Sequence, residues 1–565
     1  MKKILLFILM IAPIVFYGQS NIPPGPVSGH WDLAGSPYSI NGDIYIESAE
    51  SLTIDPGVQV LFNGWFKLEV FGRLIALGNS ASMITFTNNS HYTDIWNGIQ
   101  FKHTSKNSHM DYCIIENAYS KLGAHAFPES YGGGILCYNS PYGEIKVTNS
   151  IIRDNEAYYG GGIANYQSNL ILENCTIRNN VAVVGGGVAL INNPTTALKK
   201  NTIMLNEASK GGGVLLQYSN HDQLECNFIV NNTADLGGGM YMVHSNSGLC
   251  KNTIARNMAS QDGGGIYFYN LSNPDIYSCN IYFNEDGVKS GSQQIYLANN
   301  SNDPSFYHCN ILGGMEGFSG AGSATQYSGA YENCVDDDPL FKNMYNGDYS
   351  LTWANYPYDD HTKSICIDNG CPDNEPDPDK SCCDIGACCY FQVLEVPDNI
   401  YGEELQPQVF MAEWDPSFGA LGYEIDVAYD RYFEDVIYDS RNVATNSIKM
   451  WLPEPSDMIW FRVRSYNTGL TSDNSQSWAL LWVSLDENQA DEPNIYASTS
   501  AINISIPQAA DKNGQAWIYN TSGQLLGHYS LVTGTNTIRL GISKQIVIVK
   551  VLLNNKVYQQ KLLMH

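Results

Sequence analysis

An all-β fold is predicted for this chain: a parallel β-helix solenoid followed by two small β-sandwich domains. Three observations predict it. Glycine triplets begin at Gly132, Gly160, Gly185, Gly211, Gly237 and Gly263, in steps of 25 to 28 residues. In phase with them run "SIIRDNEA", "CTIRNNVA", "NTIMLNEA", "NFIVNNTA" and "NTIARNMA", from Ser150, Cys175, Asn201, Asn227 and Asn252. Self-similarity at a fixed period marks a solenoid. Beyond Glu395 the period gives way to alternation of apolar and polar residues, as in "VFMAEWDPSFGALGYEIDVAYD", the pattern of sandwich strands. With 565 residues, 51 Gly, 37 Tyr and 15% charged residues, the composition also favours several β domains over helices.

The N-terminus reads as an export signal over residues 1–18. Lys2 and Lys3 form its basic region, and Ile4 to Phe16 an apolar stretch too short for a comfortable membrane span. Cleavage is expected near Gly18–Gln19. No Cys follows the apolar stretch, which argues against a lipid anchor, and no other segment is apolar and long enough to span a membrane. The mature chain is therefore expected to be secreted or on the outer cell surface, without a membrane span.

A unit of about 26 residues is too short for a propeller blade and lacks the leucine pattern of a leucine-rich repeat. It fits one coil of a parallel β-helix, whose coils stack about 4.8 Å apart. The glycines are then corners where neighbouring coils approach too closely for a Cβ. A phosphate-cradling role is excluded by six copies and no following P-loop Lys. Asn155, Asn180, Asn206, Asn232, Asn257 and Asn284 are expected at a second corner, where Asn tolerates left-handed backbone and can build a hydrogen-bond ladder. Three inward columns are expected. They are Ile135, Ile163, Val188, Val214, Met240, Ile266; Cys137, Asn165, Leu190, Leu216, Met242, Phe268; and Ile152, Ile177, Ile203, Ile229, Ile254, Ile281.

At these repeats the chain resembles right-handed parallel β-helix proteins of the pectate-lyase-like superfamily. "ESLTIDPGVQVLF" and "FGRLIALGNSASMITFT" resemble their opening coils, and "DDDPLFKNMYNGDYSL" with "SICIDNGCPDNEPDPDKSCCDIGACCYF" their closing segment. The resemblance covers about residues 28–392. Cysteines stand where that group's closing pattern has other residues, which implies a local disulfide staple. Residues 393–484 resemble a fibronectin type III domain, with Trp414, Tyr423 and Tyr466 on its strands, acting as a spacer or binding accessory. "LDENQADEPN" (485–494) is an acidic linker. Residues 495–565, with "IYNTSGQLL", "IVIVKV" and "QQKLL", resemble the C-terminal sorting domain of type IX secretion cargo in Bacteroidetes-type bacteria; "YAST" replaces the usual "YPNP". That resemblance implies the type IX secretion machinery as a partner.

A formal charge of −27 excludes nucleic acid as a natural partner and, without bridging cations, anionic polysaccharide. Fourteen Cys are present, six of them within Cys366–Cys389, with spacing that favours disulfides or buried thiols over a zinc site. The strands after the triplets, "ILCYN", "IANYQ", "VALIN", "VLLQY", "MYMVH" and "IYFYN", hold no Asp, Glu, Lys or Arg and a single His, His244. A lyase needs a base with calcium-binding carboxylates, and a hydrolase a carboxylate pair. Arg153, Asp154, Glu156, Arg178 and Glu207 read as solvated charge. What projects outward is aromatic: Tyr241, Tyr267 and Tyr296 in one column, and Tyr138, Tyr166 and Tyr269 in the next. These read as a sugar-binding or partner-binding surface, or as a ladder that stabilises the sheet. Asp373, Glu375, Asp377 and Asp379 could ligate calcium or form a solvated acidic loop; no other cofactor is implied. The leading expectation is a non-catalytic, adhesin-like binder of glycans or extracellular partners. The alternative is a polysaccharide lyase or glycoside hydrolase of the superfamily.

Overall fold

The computed structural model describes residues 19–481 and 493–563, apart from 93–94, 121–127, 129, 194, 288–292, 323–325, 407, 455, 457, 468–469, 499–500, 507–513, 521–523, 533, 541–545 and 554–555. The expected export signal and most of the acidic linker lie outside the described residues. The chain divides between Tyr390 and Phe391 into two compact units.

The first unit is a parallel β-solenoid. A representative coil runs through Ile151–Arg153, Glu156–Tyr159, Ile163–Tyr166 and Asn169–Glu173. Each strand pairs in parallel with its equivalent one coil on, which builds sheets of 12, 6, 11 and 12 strands in that order around the coil. We call these the first to fourth walls. The three expected columns all point inward and are fully buried. They join one continuous core from Trp31 to Phe318. Burying a large aliphatic side chain in this way contributes about 1.5–3 kcal/mol.

The corners explain how a short repeat turns. The first glycine of each triplet has φ of 65° to 70°. The second and third face the next coil: a Cβ on Gly161 would lie 2.6 Å from the Gly186 carbonyl oxygen, and one on Gly187 2.7 Å from that of Gly213. At the other corners a left-handed residue precedes a buried polar one. The expectation placed left-handed backbone on the asparagine column itself. It belongs instead to the preceding Asp154, Asn179, Leu205, Asn231, Arg256 and Phe283, at φ 54° to 59°. That leaves each asparagine's side chain free to bond along the stack. The Asn180 backbone N–H and Nδ2 both donate to Asn206 Oδ1, at 3.0 Å each, and Asn206 repeats this onto Asn232. A second ladder runs Asn201, Asn227, Asn252 and ends against Cys279. Each amide is thereby satisfied inside an otherwise apolar stack.

After the last coils the chain turns back along the solenoid. Phe341–Asn343 and Asp348–Leu351 pair antiparallel. Tyr349 packs on Val230 and Ala255 and accepts a 2.9 Å hydrogen bond from Asn231 Nδ2. No disulfide joins any two of the fourteen cysteines in this structure, so the expected staple is not shown. In the closing segment, Cys366 Sγ accepts from the Asn280 and Asn310 amides at 3.3 and 3.4 Å, and Cys389 Sγ donates to Asp377.

The second unit contains two antiparallel sandwiches. In one, Tyr401–Gln406, Val409–Glu413 and Ser447–Trp451 form a three-stranded sheet, and Val436–Val443, Gly422–Ala428, Met458–Tyr466 and Trp478–Leu481 a four-stranded one. Trp414 and Tyr423 meet in its core, ring centroids 5.3 Å apart. The other repeats that order of strands. Asn494–Ser498, Ala501–Ile506 and Gly534–Arg539 face Leu525–Leu531, Gly514–Asn520, Ile546–Leu553 and Lys556–Leu563.

Candidate binding face

The glycine corner folds the second and third walls toward each other, so their outward side chains meet. On the third wall the register sets Leu136, Ala164, Ala189, Leu215, Tyr241, Tyr267 and Tyr296 in one column. On the second wall Tyr159, Val184, Lys210, Leu236 and Asp262 form the opposing column. Ala189, Leu215, Tyr241 and Tyr267 pack with Tyr159, Val184 and Leu236 into a small apolar cluster of their own. Tyr241 and Tyr267 are only 5% and 9% exposed. The outward tyrosine column is therefore mostly a buried, stacked ladder, with Tyr267 and Tyr296 centroids 4.8 Å apart. The second wall covers it, which linear sequence could not reveal.

The neighbouring column holds Lys102, Tyr138, Tyr166, Ile191, Gln217, Val243 and Tyr269. Tyr138 and Tyr166 are half-buried and stacked at 5.5 Å. Three non-aromatic residues separate them from Tyr269, which is exposed at the rim of the Tyr241 ladder. Beyond this column lies a left-handed corner with His103, Asn139, Gln167, Asn192, Tyr218, His244 and Asn270 on successive coils. His244 stacks on Tyr218 at 4.9 Å as one rung of that corner. An open depression of about 710 Å³ is lined there by His103, Asn139, Tyr142, Gln167, Asn192 and Asn193, among others. It places amides beside the accessible tyrosine Tyr142, which is 88% exposed.

The wall is not free of charge at its N-terminal end. Its opening coils lack the triplet, and they bring Glu69 between Lys67 and Lys102, each ammonium 2.9 Å from Glu69 Oε1. Burial works against the Glu69 carboxylate, but the two ammoniums hold it below the usual carboxylate range. Lys102 occupies the position one coil before Tyr138. None of these three residues lies on a strand that follows a triplet, so the repeat does not mark them. On the first wall Arg153 stands beside Arg178 on the next coil and bonds Glu116 at 2.6 Å.

The four acidic residues considered for calcium do not converge. Asp377 is buried and turned onto Lys251, with Nζ 2.5 Å from Oδ1. Asp379 accepts from the Ser381 N–H and hydroxyl. Asp373 and Glu375 face solvent. Among the described residues no group of three His, Cys, Asp or Glu side chains is placed to hold a metal ion. No helix among them is long and apolar enough to cross a membrane.

The coil geometry is that of a parallel β-helix repeat, and part of the solenoid matches a known family. The family described as "Right handed beta helix region" matches residues 73–257. The chain matches no curated protein. Three solved structures are similar over 30% of this chain. They are a two-domain fibronectin type III segment of chicken tenascin (6% identity, all of that chain, TM-score 0.15), the chicken interferon gamma receptor alpha chain (10%, 98% of that chain, 0.14) and the FN1–FN3 domains of chicken CNTN1 (9%, 67%, 0.14). At those scores the description of the sandwiches rests on their strand order alone.

Proposed function

We propose that this protein is an exported, non-catalytic and adhesin-like binder of neutral saccharide chains, and that the third wall is its binding face. The observation that carries the reading is the stacked, half-exposed Tyr138–Tyr166 pair beside the amides of Asn139, Gln167 and Asn192. Tyrosine faces suit the apolar faces of sugar rings, and side-chain amides pair with hydroxyls. Rows repeated once per coil suit a repeating polymer. The net charge of −27 favours a neutral chain over a polyanion. In this reading the first sandwich is a spacer, residues 495–565 are the tail read by the type IX secretion machinery, and the product is released or surface-attached.

The test is calorimetric titration of the mature chain with neutral oligosaccharides. Tyr138→Ala and Tyr166→Ala should each weaken binding at least tenfold, about 1.4 kcal/mol, while melting stays cooperative. Undiminished binding in both variants overturns the assignment. A second reading, a polysaccharide-cleaving enzyme, draws on Glu69 and Lys102 beside His103 on the same face. New reducing ends that disappear in Lys102→Met would favour it over the binder.

A further inference from the structure

One inward column of the fourth wall changes character halfway along the solenoid. Ile145 and Leu170 are aliphatic and buried, as a lumen requires. In the next three coils the same column presents Thr196, Asp222 and Ser247, which are 1%, 3% and 1% exposed. The Asp222 N–H donates to Ser247 Oγ at 3.2 Å, which fixes the backbone there. Across the lumen, Asn165 from the third wall donates Nδ2 to Thr196 Oγ1 at 2.9 Å. Asn165 Oδ1 has no hydrogen-bond partner. Neither carboxylate oxygen of Asp222 has a well-aligned hydrogen bond, and the neighbouring Thr196 and Ser219 stabilise its charge.

A buried carboxylate needs compensation of its charge. His221, the adjacent titratable group, is exposed on the surface. Burial pushes the Asp222 carboxyl up to about 6, with Thr196 and Ser219 pulling the other way, so at neutral pH it is still mainly ionised. The remaining donors are neutral oxygens, the ligand type of hard cations. With a single negative charge, a monovalent ion brings the lumen to neutrality, whereas a divalent one leaves a buried positive charge. Access also exists. Asp222 lines an open depression of about 430 Å³ with Gln223, Gly248 and Tyr277. Gly248 keeps it open, since a Cβ there would meet only the Asp275 carbonyl oxygen, at 3.6 Å.

We propose that Asp222, with the hydroxyls of Thr196 and Ser219, forms an interior site for a hard monovalent cation of the sodium or potassium class. The ion ties together coils that otherwise meet through an uncompensated charge. It acts from inside the solenoid, independently of the binding face.

The experiment is unfolding of the full chain at neutral pH in sodium, potassium or tetramethylammonium chloride at equal ionic strength. Above the dissociation constant, each tenfold rise in the free ion concentration should raise the folded-to-unfolded ratio roughly tenfold. Tetramethylammonium, too large for the site, should give none of this gain. Asp222→Asn should erase the difference between salts, and Thr196→Val, which keeps the side-chain shape, should reduce it. Should Asp222→Asn fail to fold, the wild-type salt series and Thr196→Val still decide. Identical stability in all three salts overturns the proposal. So does a response to calcium alone, or a salt difference that survives in Thr196→Val and Asp222→Asn. Stability that follows pH through about 6 but ignores the salt would mean a proton balances Asp222, which also overturns it.

Discussion

Tyr241 lies flat on Tyr267, with ring centroids 5.0 Å apart and planes within 10°, on the outside of the solenoid yet almost wholly out of solvent. The second wall closes over the pair, with Leu236 and Val184 in the same cluster. Tyr241→Ala should therefore act on stability, costing about 3 kcal/mol for the buried ring and its stacking partner. Tyr269→Ala, at the exposed rim, should cost well under half as much. Urea unfolding of the two variants side by side checks this. Equal losses would mean that the ladder is not the buried element described.

The glycine corner gives a sharper contrast. A Cβ on Gly212 would sit 2.5 Å from the carbonyl oxygens of both Gly238 and Thr233, and neither backbone atom can move without parting two coils. Gly212→Ala should abolish cooperative folding of the solenoid or cost more than about 3 kcal/mol. Gly248→Ala, with open space around its Cβ, should change stability by less than about 0.5 kcal/mol. Circular dichroism melts distinguish the two.

Much of this was legible in the chain because the repeat writes each column of the solenoid once per coil. The isoleucines from Ile152 to Ile281 announce an inward column, and the triplets announce a corner that Cβ atoms cannot enter. Three things were not legible, each for a physical reason. Lys102 follows the corner Asn97–Gly98, and Glu69, one coil earlier, follows Phe66–Lys67; neither corner is a triplet, so the repeat does not mark these residues, although Gly98 shares the left-handed backbone at φ 68°. The burial of Tyr241 depends on where the second wall lies, and that is set by the turn angle at the glycines rather than by any residue pattern. Asp222 reads in sequence as one polar residue of a loop, "SNHDQ"; only the pairing of Ala197 with Gln223 places it in an inward column.

The closing segment is clamped by a buried ion pair, and the clamp can be opened from one side. Lys251→Met leaves Asp377 buried without its partner, which costs about 3–5 kcal/mol. The Asp384 N–H bonded to Asp377 Oδ2 at 3.0 Å is too little to compensate. Limited proteolysis should cut residues 364–390 faster in that variant, while coils before Asn227 stay protected. The double variant Lys251→Met/Asp377→Leu should recover most of the loss. Failure to recover would assign the clamp to the cysteines and backbone contacts around it instead.

Asp384 gives the same segment a pH dependence whose sign can be worked out. It is fully buried, and burial with the nearby Asp377 carboxylate pushes its carboxyl up to about 8, against hydrogen bonds from the Asp368 and Tyr390 N–H groups. In the unfolded chain an aspartate titrates near ~3.9. Between these values the folded chain holds a proton that the unfolded chain has released. Stability therefore falls as pH rises through that window, and is flat below it. Hydrogen exchange of residues 364–390, corrected for intrinsic rates, should report loosening from about pH 4 to about pH 8. Asp384→Asn, which cannot ionise, should flatten the profile and keep the segment closed at the alkaline end. A profile that rises with pH in the wild type, or that survives in Asp384→Asn, would show that another group controls the clamp, with Asp377 itself the first to substitute.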